Sequence, residues 1–182
     1  EGNIYGLVGN NGSGKTMLMK CMCGFIRPTK GTVESNGKVI GRDVDYLPDA
    51  GVIIETPGFI PYYSGFQNLK VLAGIKNKIS AKEIREAIQT VGLDPDLKLP
   101  VKKYSLGMRQ RLGLAQAIME NPSVLILDEP MNGLDKNGVE EIRKLLLFMK
   151  DERKIIVIAS HNAEDIRVLC DEVHEMEQGE LI

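Results

Sequence analysis

Gly9-Asn10-Asn11-Gly12-Ser13-Gly14-Lys15-Thr16 joins three glycines, an amine and a hydroxyl in the spacing G-x-x-x-x-G-K-[ST]. The glycines let successive backbone N–H groups curl around one anion. The helix expected after them adds the positive end of its dipole. In such a loop Lys15 reaches the β- and γ-phosphates and the Thr16 hydroxyl ligates Mg²⁺. The expected ligand is therefore a nucleoside triphosphate. Two further sets of residues complete the chemistry. The apolar run Val124–Leu127 ends in Asp128-Glu129, and a second apolar run, Ile155–Ser160, is followed by His161. In a parallel sheet the carboxyl ends of the strands gather at one edge, where the phosphate loop also lies. Asp128 is then placed for the Mg²⁺ shell, and Glu129 for polarising the water that attacks the γ-phosphate. His161 can hydrogen-bond that phosphate and the water-activating carboxylate.

These residues need a scaffold of alternating strands and helices. Ile4–Val8 feeds the phosphate loop, and Met17, Leu18, Cys21 and Met22 carry a helical pattern out of it. Asn36-Gly37 predicts a hairpin between Thr32–Ser35 and Lys38–Ile40. Gly51–Ile54 reads as a strand. Ser80-Ala81-Lys82-Glu83 is a capping box that opens a helix running to Gly92. Another helix follows Ser105 and ends before Pro122. Val139–Lys150 has a single apolar stripe, Ala163–Leu169 is a short helix, and Glu172–Glu177 is a last strand turning at Gln178-Gly179. The fold class is α/β: a P-loop NTPase core with a mostly parallel sheet flanked by helices. Residues 1–57 and 122–182 form the core, and residues 58–121 an inserted helical subdomain. Glu1 leads into the phosphate loop so quickly that the N-terminal antiparallel strands of such a domain are expected to be missing.

The chain has 182 residues, with 23 Lys and Arg against 25 Asp and Glu. No basic run marks an electrostatic footprint for nucleic acid, so nucleic acid is not an expected partner. The apolar runs are too short to cross a bilayer, which leaves any membrane work to another polypeptide. Cys21, Cys23 and Cys170 lack metal-site spacing and are expected as buried free thiols.

With Tyr104-Ser105-Leu106-Gly107-Met108-Arg109-Gln110-Arg111 added, the chain resembles the nucleotide-binding domain of ATP-binding cassette transporters over nearly its whole length. The octet is similar to the family signature L-S-G-G-Q-x-Q-R. The resemblance implies ATP and Mg²⁺ as cofactors, held by Asn10, Asn11, Gly12, Ser13, Gly14, Lys15, Thr16 and Met17. The implied metal ligands are Thr16, Asp128 and Glu55. It also implies that Ser105, Leu106, Gly107 and Met108 close over the γ-phosphate of a second copy in a head-to-tail dimer, out of reach of the phosphate bound in their own chain. Ser105 is at the same time a simple helix cap. Asn132-Gly133-Leu134-Asp135 matches the family's loop between the two sites, with Asp135 either carrying cross-talk or capping the next helix.

The chain departs from the family pattern at several positions. Leu106 and Met108 replace a glycine and a glutamine of the signature, and Met17 replaces a hydroxyl residue. Glu55 stands where the family has a Mg²⁺-ligating glutamine that senses the membrane partner. The aromatic residue that stacks on adenine in this family lies upstream of the loop, and Tyr5 is too close to replace it.

Thr56–Leu69 carries no charge yet holds Phe59, Tyr62, Tyr63 and Phe66, four of the nine Phe and Tyr residues. This composition suits an interface core that docks an integral membrane permease subunit, or else packing within the helical subdomain. Ile54–Phe59, Gln67–Leu69 and Tyr104–Met108 look most like cassettes of bacitracin- and lantibiotic-resistance exporters. The implied place of work is the cytoplasmic face of the cell membrane, as a peripheral subunit. Two other classes fit less of the chain. A soluble cassette ATPase outside transport would carry two cassettes or a long coiled coil, and a small-molecule phosphotransferase would not explain the signature or His161.

Overall fold

The computed structural model describes residues 1–182. Its main sheet is assembled from β1 (Asn3–Val8), β4 (Ala50–Ile53), β5 (Val124–Asp128), β6 (Ile155–Ala159), β7 (Glu172–Glu177) and β8 (Glu180–Leu181), in the order β4-β5-β6-β1-β7-β8. The first five run parallel, and β8 turns back antiparallel on β7. β2 (Glu34–Ser35) and β3 (Lys38–Val39) form a separate small hairpin around Asn36-Gly37, as that dipeptide predicts.

The central strands are apolar on both faces because both faces are covered. Ile4, Leu125, Leu127, Ile156 and Ile158 point to one side. There they join a cluster of 24 buried residues drawn from α2 (Gly65–Lys76), α3 (Ala81–Thr90), α4 (Leu106–Ile118), α5 (Lys136–Asp151) and α6 (Ala163–Leu169). Leu7, Ile126, Val157 and Ala159 alternate to the other side and meet Met19 and Cys23 of α1 (Lys15–Cys23). Helices thus lie on both sides of the sheet, unequally: one against five. The 24-residue cluster continues from residues 58–121 into the strands, so the helical insert shares the core of the rest.

The tightest seat of the insert is α4 on β4. A Cβ added at Gly51 would come within 1.9 Å of the Ala117 carbonyl oxygen, so only glycine allows the helix backbone to press on this strand.

Several boundaries and placements differ from expectation. α2 begins inside the aromatic, uncharged stretch Thr56–Leu69 and is the first helix of the insert expected to be helical. Its start is fixed by Ser64, whose side chain accepts from Gln67 N–H while Gln67 accepts from Ser64 N–H. α5 begins three residues before Val139 because Asp135 caps it through Gly138 N–H at 2.9 Å. Of the three thiols, Cys23 alone is buried, with its pKa pushed up by burial to about 11; Cys21 and Cys170 are half-buried. No helix is long and apolar enough to cross a membrane.

Candidate phosphate-binding site

The turn from β1 into α1 places the phosphate loop at the carboxyl edge of the sheet. Gly14 caps α1 with φ 109°, and no side chain fills that helix end or adds an acidic group to its first turn. The N–H groups there remain directed at an incoming anion. Lys15 is buried and folds back, donating from Nζ to the Gly9 carbonyl at 2.7 Å and the Asn10 carbonyl at 3.1 Å. Ser13 Oγ is buried without a hydrogen-bond partner. A buried hydroxyl with no partner is costly unless a ligand completes it. Both observations fit a site made for phosphate oxygens.

Beside the loop lies a cleft of about 400 Å³ whose lining includes Lys15, Thr16, Glu55, Arg109, Asp128 and Glu129. Asn11, Gly12, Gly14 and Met17 also line it, while Asn10 borders the neighbouring cavity with His161. Thr16 Oγ1 donates to Asp128 Oδ2 at 2.8 Å. This hydroxyl, with the Asp128 and Glu55 carboxylates, makes a set of hard oxygen donors suited to Mg²⁺. No cluster of three or more His, Cys, Asp or Glu could hold a metal by protein groups alone. That suits Mg²⁺, which is bound through one or two carboxylates together with substrate phosphates.

Glu129 follows β5 in the left-handed region, φ 50°, a conformation uncommon outside glycine. Three contacts fix it. Its N–H donates to the Ala159 carbonyl at 2.9 Å. Its Oε1 accepts from the His161 N–H at 3.0 Å, and its Oε2 lies 2.8 Å from His161 Nδ1, which donates when protonated. The His161 turn is itself braced from below. Ser160 Oγ accepts from Asn162 N–H and donates to Asp165 Oδ2, and Asp165 Oδ1 receives Nε and Nη2 of Arg143 at 3.0 and 2.6 Å. This ion pair is 7% and 3% exposed.

Residues beyond the sequence-predicted set also meet the site. Gln110, 9% exposed, donates from Nε2 to the carbonyls of Glu129 and Pro130, each at 3.1 Å. Helix α4 is thereby tied to the backbone that carries the Glu129 carboxylate. Lys20 pairs with Glu55. Neither link has a local sequence signal, since each joins residues far apart in the chain.

The signature segment divides. Ser105 Oγ accepts from Met108 N–H at 3.1 Å and caps α4, whereas Leu106 reaches the rim of the cleft along with Arg109. Leu106 therefore borders the phosphate-loop cleft of its own chain, which the family resemblance did not imply. Ser105, Gly107 and Met108 do not line it. A Cβ at Gly133 would approach Leu106 Cγ to 2.5 Å, so the Asn132–Asp135 loop sits directly against Leu106. Tyr5 stacks on His174, ring centres 6.4 Å apart, and is committed there. Phe59 and Phe66 pack partly against the core, while Tyr62 and Tyr63 are exposed.

Residues 1–132 match the family model described as ABC transporter. The whole chain is 45% identical over 181 residues to an uncharacterized ABC transporter ATP-binding protein, YybJ, of Bacillus subtilis (strain 168), and spans 83% of it. It is 42% identical over 184 residues to the bacitracin transport ATP-binding protein BcrA of Enterococcus faecalis, again along 100% of this chain, but spans only 60% of that relative. Identity to the lantibiotic transport ATP-binding protein SrtF of Streptococcus pyogenes is 37% over 182 residues, 100% of this chain and 78% of the relative. Among solved structures, the dimeric structure of MJ0796, a bacterial ABC transporter cassette, superposes with a TM-score of 0.88. It is 21% identical, with 100% of this chain and 84% of that chain covered, and the likeness concerns the fold.

Proposed function

Because the chain belongs to the ATP-binding cassette transporter family, we propose that it is the ATP-binding, ATP-hydrolysing subunit of an exporter and drives a separate membrane subunit. The observation that carries this is the convergence at one edge of the sheet of two pairs, Thr16 with Asp128 and His161 with Glu129. The relatives named for bacitracin and lantibiotic transport support an antimicrobial peptide or related compound as cargo.

The phosphate-loop N–H groups and Lys15 bind the triphosphate, with the Lys15 ammonium leaving its loop carbonyls for the phosphates. Thr16, Asp128 and Glu55 would hold Mg²⁺, which when bound neutralises charge on the transferred phosphoryl group. Glu129 orients the attacking water, and His161 fixes the direction of that carboxylate. Ser105, Gly107 and Met108 face the triphosphate of a second copy, and Asp135 lies on the loop between the two sites. ATP binding closes this head-to-tail dimer and hydrolysis reopens it. Residues 58–121 act as the subdomain that meets the membrane subunit, around Phe59, Tyr62, Tyr63 and Phe66, at the cytoplasmic face of the membrane.

Glu129→Gln tests the scheme. The variant should bind ATP, release no phosphate and elute as a dimer with ATP in the absence of Mg²⁺. Elution as a monomer under saturating ATP would count against it.

A further inference from the structure

Glu55 adds a third carboxylate to a cleft that already holds Asp128 and Glu129. A triphosphate entering that cleft meets a like charge which a glutamine would not present. The structure provides an answer on α1. Lys20 lies one turn beyond Thr16, on the same side of the helix, and its Nζ meets Glu55 Oε1 at 2.5 Å. The lysine side chain is largely covered, at 24% exposed, while the carboxylate is 64% exposed. Glu55 also sits in the left-handed backbone region, φ 61°, just after β4. A residue in that sparsely populated region persists because its surroundings hold it, and Lys20 makes the contact to its side chain.

An exposed pair of this kind adds little to stability. Its importance is electrostatic and local.

We propose that Lys20 is a positioning residue that holds Glu55 at the rim of the cleft and cancels its charge, so that the site admits a triphosphate before any divalent cation arrives. This rests on the ATP-binding reading above. Lys20 supplies the neutrality that glutamine would give, and it leaves the carboxylate within the lining of the cleft.

The test is ATP binding to the full chain by calorimetry, with EDTA and then with Mg²⁺. In EDTA, Lys20→Met should lose about tenfold in affinity, the size expected for one uncompensated charge near the triphosphate. Lys20→Arg should bind as the wild type does. Glu55→Gln added to Lys20→Met should restore affinity to within about twofold, because the net charge at the rim returns to zero. With Mg²⁺ the Lys20→Met deficit should shrink. Thermal midpoints should stay within about 2 °C throughout, which a structural role for the pair would not allow. Unchanged Mg-free affinity in Lys20→Met would overturn the proposal, as would a double variant no better than Lys20→Met. A wild-type chain that binds no ATP would instead overturn the parent reading, and this one with it.

Discussion

The Thr16 hydroxyl donates to Asp128 Oδ2 at 2.8 Å across 112 residues of sequence, and so ties the first turn of α1 to the end of β5. Both partners belong to the oxygen set that fits Mg²⁺. Thr16→Val keeps the shape and removes the hydroxyl. It should weaken MgATP binding by about tenfold or more, the range for losing a hydrogen bond to a charged group, and should affect Mg-free ATP much less. Equal losses in Mg²⁺ and in EDTA would separate Thr16 from the metal.

Gln110 lines the cleft and donates to the backbone carbonyls of Glu129 and Pro130. Gln110→Leu preserves bulk, strips the Pro130 carbonyl of its donor and leaves the Glu129 carbonyl with the Asn132 N–H alone. Steady-state kinetics should show kcat falling by about tenfold with KM for ATP nearly constant, because the change touches catalytic geometry and not ground-state binding. A rise in KM with kcat intact would remove Gln110 from this role.

Asp171 fastens the start of β1. Its Oδ2 accepts from Ile4 N–H at 2.8 Å and its own N–H donates to the Ile4 carbonyl, while Lys150 pairs with its other oxygen. The Ile4 N–H, and then Lys150, hold its pKa below the ordinary carboxylate value. A carboxyl whose pKa is lowered on folding stabilises the protein above its unfolded pKa, and that contribution fades as pH falls through the folded value. Asp171→Asn should therefore melt about 2–4 °C lower at pH 7, the equivalent of one hydrogen bond. The gap to wild type should close as pH drops below about 4. A gap independent of pH would rule out the charge as its source.

Tyr62 is 73% exposed and stacks under Lys102, and Tyr63 lies on the groove along α2 with Val71 and Ile75. Replacing both tyrosines by serine should abolish co-purification of the membrane subunit with little change in melting, since neither residue is buried. Undiminished recovery of the partner would refute docking here.

The residues that meet at the carboxyl edge of the sheet were legible because they are written locally. Gly9–Thr16, Asp128-Glu129 and His161 each follow an apolar strand, and parallel strands deliver their ends to one edge. α2 has an equally local signal in the capping box of Ser64 and Gln67, although no regular apolar stripe follows it along the helix. Gln110 on Glu129, Lys20 on Glu55 and Arg143 on Asp165 are of another kind. Each joins residues brought together by packing alone, and no spacing rule announces such a pair. Residue type did announce that Glu55 was unusual; only the fold supplies its counter-ion.

The seat of Ala117 on Gly51 limits how the molecule can be rebuilt. Exchanging the 58–121 block between related cassettes would look modular on paper. Any chimaera whose strand carries a side chain at position 51 would lift the graft off its bed, and with it the glutamine that steadies Glu129. Recombination of such proteins is then expected to succeed only when strand and helix travel as one inherited unit.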